Sequence, residues 1–169
     1  VRSPICSGCP NEGSCTGLFE PLLEDVFTRD DAEVRRVIDA LRGDLGAGKT
    51  ALTRALLRAA GYQGTVKSPT YTLSEPYRVQ LDGAPVNVIH YDLYRMSSPE
   101  EFLDAGFRED FDGKNICIVE WPEKGEPVLP APDVRVHLSV SGAGRTVELQ
   151  ALSQQGLLCL DRLLFPVPP

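Results

Sequence analysis

Residues 43–50, Gly-Asp-Leu-Gly-Ala-Gly-Lys-Thr, fill every required position of the pattern G-x-x-x-x-G-K-[ST], whose chemistry is the holding of a nucleoside triphosphate. Glycines at 43, 46 and 48 free the backbone to turn successive N–H groups toward phosphate oxygens. The backbone of Gly46, Ala47, Gly48, Lys49, Thr50 and Ala51 would form the cradle, and a helix opening there adds unsatisfied donors and partial positive charge. Lys49 would reach the β- and γ-phosphates, and the Thr50 hydroxyl would ligate the accompanying Mg²⁺. The expected cofactors are therefore a nucleoside triphosphate and Mg²⁺.

Two apolar runs further on end in acids: Val88-Ile89-His90-Tyr91-Asp92 and Ile116-Cys117-Ile118-Val119-Glu120. In open α/β sheets ligands sit beyond the carboxyl ends of the strands, so Asp92 and Glu120 would face whatever Lys49 and Thr50 bind. Acids there can ligate magnesium, directly or through water, or orient an attacking water. The metal candidates are Thr50, Asp92 and Glu120.

The elements that must position these groups follow from pattern. Val34, Val37, Ile38 and Leu41 have helical spacing, yet a phosphate-binding loop should follow a buried strand, so Val37–Leu41 is expected to be extended, with Asp39 a poor fit. Thr50–Ala60 reads as a helix stopped by Gly61. Thr65–Tyr77 reads as a loop feeding a strand, Asp82-Gly83 as a hairpin turn, and Val86–Tyr91 as the returning strand. Ser98-Pro99-Glu100-Glu101 carries helix-start signals: a serine cap, proline at the first position and glutamate three past the cap. Ile116–Val119 suits a strand buried on both faces. Val134–Val140 and Arg145–Leu149 read as a hairpin, followed by a helix near 153–164. The fold class is α/β: a P-loop NTPase-like mixed sheet flanked by helices, with a C-terminal β-hairpin. Residues 1–30 read as an atypical N-terminal arm and 31–169 as one P-loop ATPase domain.

Bulk properties narrow the class. Hydrophobic content of 42% and charged content of 24% over 169 residues suit one soluble domain. A net charge of −7 argues against a wide grip on nucleic-acid phosphates. No apolar run reaches the ~20 residues of a membrane span and no secretory signal is visible, so a cytoplasmic location is expected. Cys6, Cys9 and Cys15 lack a nearby fourth ligand, which disfavours a metal site and leaves free thiols as the default.

Three further motifs follow the loop in order: Ser68-Pro69-Thr70-Tyr71-Thr72-Leu73, His90-x-Asp92-x-Tyr94-Arg95 and Val119-Glu120-Trp121-Pro122. Together with the loop they resemble the TsaE (YjeE) family, ATPases of tRNA threonylcarbamoyladenosine synthesis. The resemblance covers roughly residues 43–164. It implies ATP hydrolysis within a complex with TsaB and TsaD, which modifies adenosine 37 of tRNA; tRNA would be met only through that complex. It further implies that Thr50 and Glu120 serve the magnesium site, with Asp92 in the metal or water network. Thr70 would lie in a segment sensing the γ-phosphate, Trp121 near the base, and Arg145 at the nucleotide. Lys49, Asp92, Glu120 and Thr70 are thus the catalytic candidates. Residues 1–36 carry no family motif, so base contacts are expected to be weakened while the phosphate site survives.

Two other readings stay open on the residues alone. A small P-loop kinase usually carries several lid arginines, and only Arg108 lies between Ser97 and Asp112. A nucleotide-dependent interaction module would bind but barely hydrolyse. Guanine specificity is not expected, because no Asn-Lys-x-Asp element is present.

Overall fold

A computed structural model of the chain describes residues 2–4, 38–81 and 83–161. Its seven strands are β1 (Arg2–Pro4), β2 (Ile38–Arg42), β3 (Ser74–Leu81), β4 (Ala84–Asp92), β5 (Ile116–Glu120), β6 (Val134–Ser141) and β7 (Gly144–Ala151). They form one sheet in the order β1-β7-β6-β2-β5-β4-β3. The four central strands, β6, β2, β5 and β4, run parallel, and antiparallel pairs close both sides. The mixed sheet and the C-terminal β6–β7 hairpin are as the sequence predicts. Leu81 pairs with Ala84 across a turn in which Gly83 takes φ 76°; Asp82 lies outside the described residues.

Every residue of β5 is buried, so an unbroken apolar run is what that position requires. The strand expected at 37–41 is β2; the helical spacing that competed for it has no structural counterpart over 38–42. Ala40 and Leu41 are both buried, and a strand covered on both faces takes apolar residues at any spacing.

One face of the sheet carries α1 (Lys49–Ala59) and α3 (Gln154–Asp161). Leu52, Leu57 and Cys159 pack there on Leu41, Val88, Ile118, Val134 and Val136. At the end of α1, Gly61 takes φ 83°, Tyr62 N–H donates to the Leu57 carbonyl and Gly61 N–H to that of Arg58, a Schellman closure. Helix α3 starts one residue later than predicted, because Ser153 is its cap: the hydroxyl accepts from Gly156 N–H at 3.0 Å. Residues 162–164 of the expected helix lie outside the described residues.

The opposite face carries α2 (Glu100–Asp104) and a 3₁₀ turn at Phe107–Phe111. Phe102, Phe107 and Phe111 surround Tyr91 with ring centroids 5.3–6.1 Å apart, close enough for favourable edge and offset contacts. The start of α2 differs from the predicted serine cap. The helix begins after Pro99 with no side-chain cap bond, and Glu101 instead accepts from Ser97 N–H at 3.1 Å. Covering both faces leaves the carboxyl ends of β2, β4 and β5 facing the start of α1.

Candidate nucleotide-binding cleft

The chain leaves β2 at Arg42 and turns directly into the 43–50 loop. Gly43, at φ 141°, sits against β6: a Cβ there would lie 2.3 Å from the Leu138 carbonyl oxygen. Gly46 and Gly48 take φ 80° and 109°, with nothing within 4 Å of where a Cβ would stand. The first glycine is thus required by packing, and the other two keep backbone N–H groups uncovered toward the cleft. Arg145, from the start of β7, braces the loop from outside. Its Nε–H donates to the Ala47 carbonyl at 3.1 Å and Nη2–H reaches that of Gly46 at 3.5 Å. Resemblance places this arginine at the nucleotide, but its guanidinium is spent on loop carbonyls, and neither it nor Ala47 lines the cleft.

A cleft of about 480 Å³ opens over the loop. It brings together Gly46, Gly48, Lys49, Thr50, Ala51, Thr70, Asp92, Glu120 and Trp121 of the predicted set, joined by Leu45, Ser68, Tyr94 and Arg95. Lys49 is only 4% exposed, and its Nζ donates to the carbonyls of Gly43 (2.5 Å) and Asp44 (3.0 Å). Burial lowers its pKa, opposed by the charges of Glu120, Glu123, Asp92 and Asp44. The Trp121 ring centroid lies 3.8 Å from Nζ, and Tyr94 packs on the same indole at 4.9 Å. Trp121 takes φ 59°, uncommon for a residue with a Cβ, as the chain turns sharply out of β5. Its ring therefore covers the lysine beside the 43–50 loop.

Asp92 and Glu120 are paired in register at the adjacent ends of β4 and β5, and both are nearly fully buried. Their partners differ. Glu120 accepts from Thr50 Oγ1 (3.1 Å) through Oε2 and from His90 Nε2 (2.7 Å) through Oε1. Asp92 accepts from Ser68 and from Thr70 Oγ1 (2.9 Å) through Oδ2, and from Tyr94 N–H (3.1 Å) through Oδ1. Asp92 thereby ties the Ser68–Thr70 segment to the end of β4, whereas Glu120 is tied to the first turn of α1. Arg95 stacks on the exposed Tyr71 ring at 4.2 Å beside this segment.

His90 is not at a sheet edge. It is fully buried on a strand paired on both sides, and its Nδ1 has no partner among the described residues. Its spacing of two from Asp92 on a strand was the available signal, since alternate residues share a face. Ser68 stood in a quoted motif, but nothing local told that its hydroxyl would reach Asp92. Cys6, Cys9 and Cys15 lie outside the described residues.

The donors fit magnesium. Thr50 and Glu120 offer adjacent hard oxygens, and no group of three His, Cys, Asp or Glu side chains gathers as a metal cage among the described residues. Mg²⁺ suits such a place, because it commonly takes one or two protein oxygens and completes its octahedron with phosphate and water. No helix among the described residues is long and apolar enough to cross a membrane.

A family model described as threonylcarbamoyl adenosine biosynthesis protein TsaE matches residues 23–150, beginning well upstream of the loop, where the motifs gave no sign of it. The chain is 47% identical over 116 residues to the tRNA threonylcarbamoyladenosine biosynthesis protein TsaE of Haemophilus influenzae, covering 69% of this chain and 71% of that protein. With the protein of the same name from Bacillus subtilis it shares 37% over 102 residues, covering 60% and 61%. The crystal structure of Bacillus subtilis YdiB is similar at a TM-score of 0.64 and 26% identity, over 85% of this chain and 84% of that one. With a family model matching most of its length and a relative 47% identical over more than two thirds of both chains, the chain belongs to the TsaE family.

Proposed function

We propose that the chain binds ATP with Mg²⁺ in this cleft and hydrolyses it, serving threonylcarbamoyladenosine formation in tRNA. The observation that carries the reading is the convergence of Lys49, the Thr50–Glu120 pair and the uncovered glycines in one cleft. The role in tRNA modification comes from relatives whose names state it. TsaB and TsaD are the partners implied by family resemblance, with tRNA met through their complex in the cytoplasm.

The residues divide the work. Lys49 leaves the Gly43 and Asp44 carbonyls, which hold its ammonium as a phosphate would, and takes the β- and γ-phosphates. The Trp121 ring shields that ammonium from water and strengthens its pull on the phosphates. Thr50 and Glu120 would hold the magnesium ion, which when bound supplies positive charge against the phosphate oxygens. Asp92 anchors Ser68 and Thr70 beside the site, so a terminal phosphate near those hydroxyls can reorder the segment. Asp92 and Glu120 leave acceptor capacity for a positioned water, the nucleophile that hydrolysis requires. Arg108 donates to the Val128 carbonyl and does not line the cleft, which disfavours the kinase reading.

The test compares wild type with Lys49→Ala and Glu120→Ala, measuring nucleotide affinity and acceptor-free ATP hydrolysis, alone and with TsaB and TsaD. Lys49→Ala should lose binding; Glu120→Ala should keep it and lose roughly 100-fold or more in kcat. Normal hydrolysis by Glu120→Ala would sink the assigned role, and failure to co-purify with TsaB and TsaD under ATP would sink the partner assignment.

A further inference from the structure

We infer that His90 is a positioning residue for hydrolysis: its imidazole fixes the Glu120 carboxylate in the orientation that serves Thr50 and the metal. This rests on the reading of Glu120 given above and deepens it. Glu120 Oε1 is only 2.7 Å from His90 Nε2, and the carboxylate can only accept, so the ring donates through Nε2–H. The other ring nitrogen, Nδ1, is buried with no partner among the described residues, so within them the ring makes one polar contact, and that contact is Glu120. Glu120 is held from two sides, by Thr50 on α1 through Oε2 and by His90 on β4 through Oε1.

On this side of the carboxylate the donor is shielded from solvent, because His90 is wholly enclosed. The register explains the reach. His90 is paired with Ile118 and Asp92 with Glu120, so the imidazole stands on the same face of the sheet as Glu120, one residue pair further from the cleft. His90 does not line the cleft and touches neither the loop nor Lys49 in its hydrogen bonding; it acts through Glu120 alone. Removing the donor frees a buried carboxylate to rotate away from Thr50. Partners of this kind behind metal-holding groups typically carry about 10- to 100-fold in metal affinity or activity.

The experiment uses the full chain with His90→Leu, His90→Asn and His90→Gln. Trp121 is the only tryptophan and lies on Lys49, so its fluorescence reports nucleotide binding with Mg²⁺ or with EDTA. Kinetics give kcat and KM for MgATP and the Mg²⁺ concentration for half-maximal rate. The leucine variant should bind ATP in EDTA as wild type does, yet lose about 10- to 100-fold in kcat or in the Mg²⁺-dependent part of affinity. Glutamine, whose amide nitrogen can reach the place of Nε2, should restore most of that loss, while the shorter asparagine should not. Thermal melts of the two amides, which bury similar polarity, separate this from a general effect on stability. Wild-type kcat and Mg²⁺ dependence in His90→Leu would overturn the inference, as would equal losses in all three variants. Should Glu120→Ala itself remain active, the underlying reading fails; a dead Glu120→Ala beside a fully active His90→Leu removes only the role of His90.

Discussion

Replacing Asp39 by asparagine should stabilise the folded protein above neutral pH and change it little near pH 4. Asp39 lies in the middle of β2, between Ile118 of β5 and Val134 of β6 in register. Burial, with repulsion from the Asp133 carboxylate, pushes its pKa from 3.8 up to about 7. Between those values the folded chain keeps a proton that the unfolded chain has released. Stability therefore falls as pH rises through the window and levels off above it. About three pH units at roughly 1.4 kcal/mol each correspond to about 4 kcal/mol. The side chain is only partly buried, so solvent screening lowers this, and about 2 kcal/mol is the expected gain for Asp39→Asn at pH 8. Urea midpoints of both proteins, taken at steps from about pH 4 to 8, isolate the effect of Asp39 together with its repulsion from Asp133, because carboxylates remote from Asp39 titrate alike in each and cancel in the difference. A difference that stays constant across the range, or an asparagine variant less stable at pH 8, would refute the reasoning.

Two further outcomes follow from the loop. Gly43→Ala should cost at least about 2 kcal/mol in a urea titration, because its Cβ would meet the Leu138 carbonyl at 2.3 Å in a backbone conformation that L residues rarely adopt. Gly46→Ala meets no atom within 4 Å and should cost less; equal losses would show that the contact with β6 is not what demands glycine at 43. Arg145→Ala should weaken ATP binding by about 1–2 kcal/mol, roughly 5- to 30-fold in Kd, by releasing the Ala47 carbonyl. Arg145→Lys should not rescue it, since an ammonium lacks the planar fork; wild-type affinity in the alanine variant would show that the loop needs no brace.

The parts of the site legible in the sequence are those set by near neighbours. Eight consecutive residues specify the loop, and two apolar runs ending in acids place Asp92 and Glu120, because a parallel strand directs its last side chain to the ligand edge. The long-range contacts were not legible. Arg145 reaches Ala47 across 98 positions, and His90 meets Glu120 across 30. Both depend on strand register, which no local pattern encodes. Trp121 follows the same logic: its place over Lys49 depends on a left-handed turn that a Trp-Pro dipeptide does not announce. Asp39 is the converse case. Its poor fit was visible in sequence, and the structure keeps the strand while weakening its carboxyl as an acid, since pairing on both sides by β5 and β6 outweighs one misplaced acid.

The two strand-end acids are neighbours in register, yet their surroundings point them to different tasks. An ionised carboxylate offers about four lone-pair sites. Asp92 has three donors on it, two of them hydroxyls from a segment more than twenty residues away, so loss of its charge releases that segment before it alters anything else. Glu120 has two, one of which is Thr50, the hydroxyl that opens α1 next to Lys49. Glu120 also lines the cleft, beside Lys49 and Thr50. A shift of the Ser68–Thr70 segment would therefore be felt first at Asp92, and a change in the metal's charge first at Glu120. With a nucleotide bound as proposed, the parallel β4–β5 pair would hold those two responses side by side and would couple contact with a terminal phosphate to movement of the neighbouring segment without any rearrangement of the sheet.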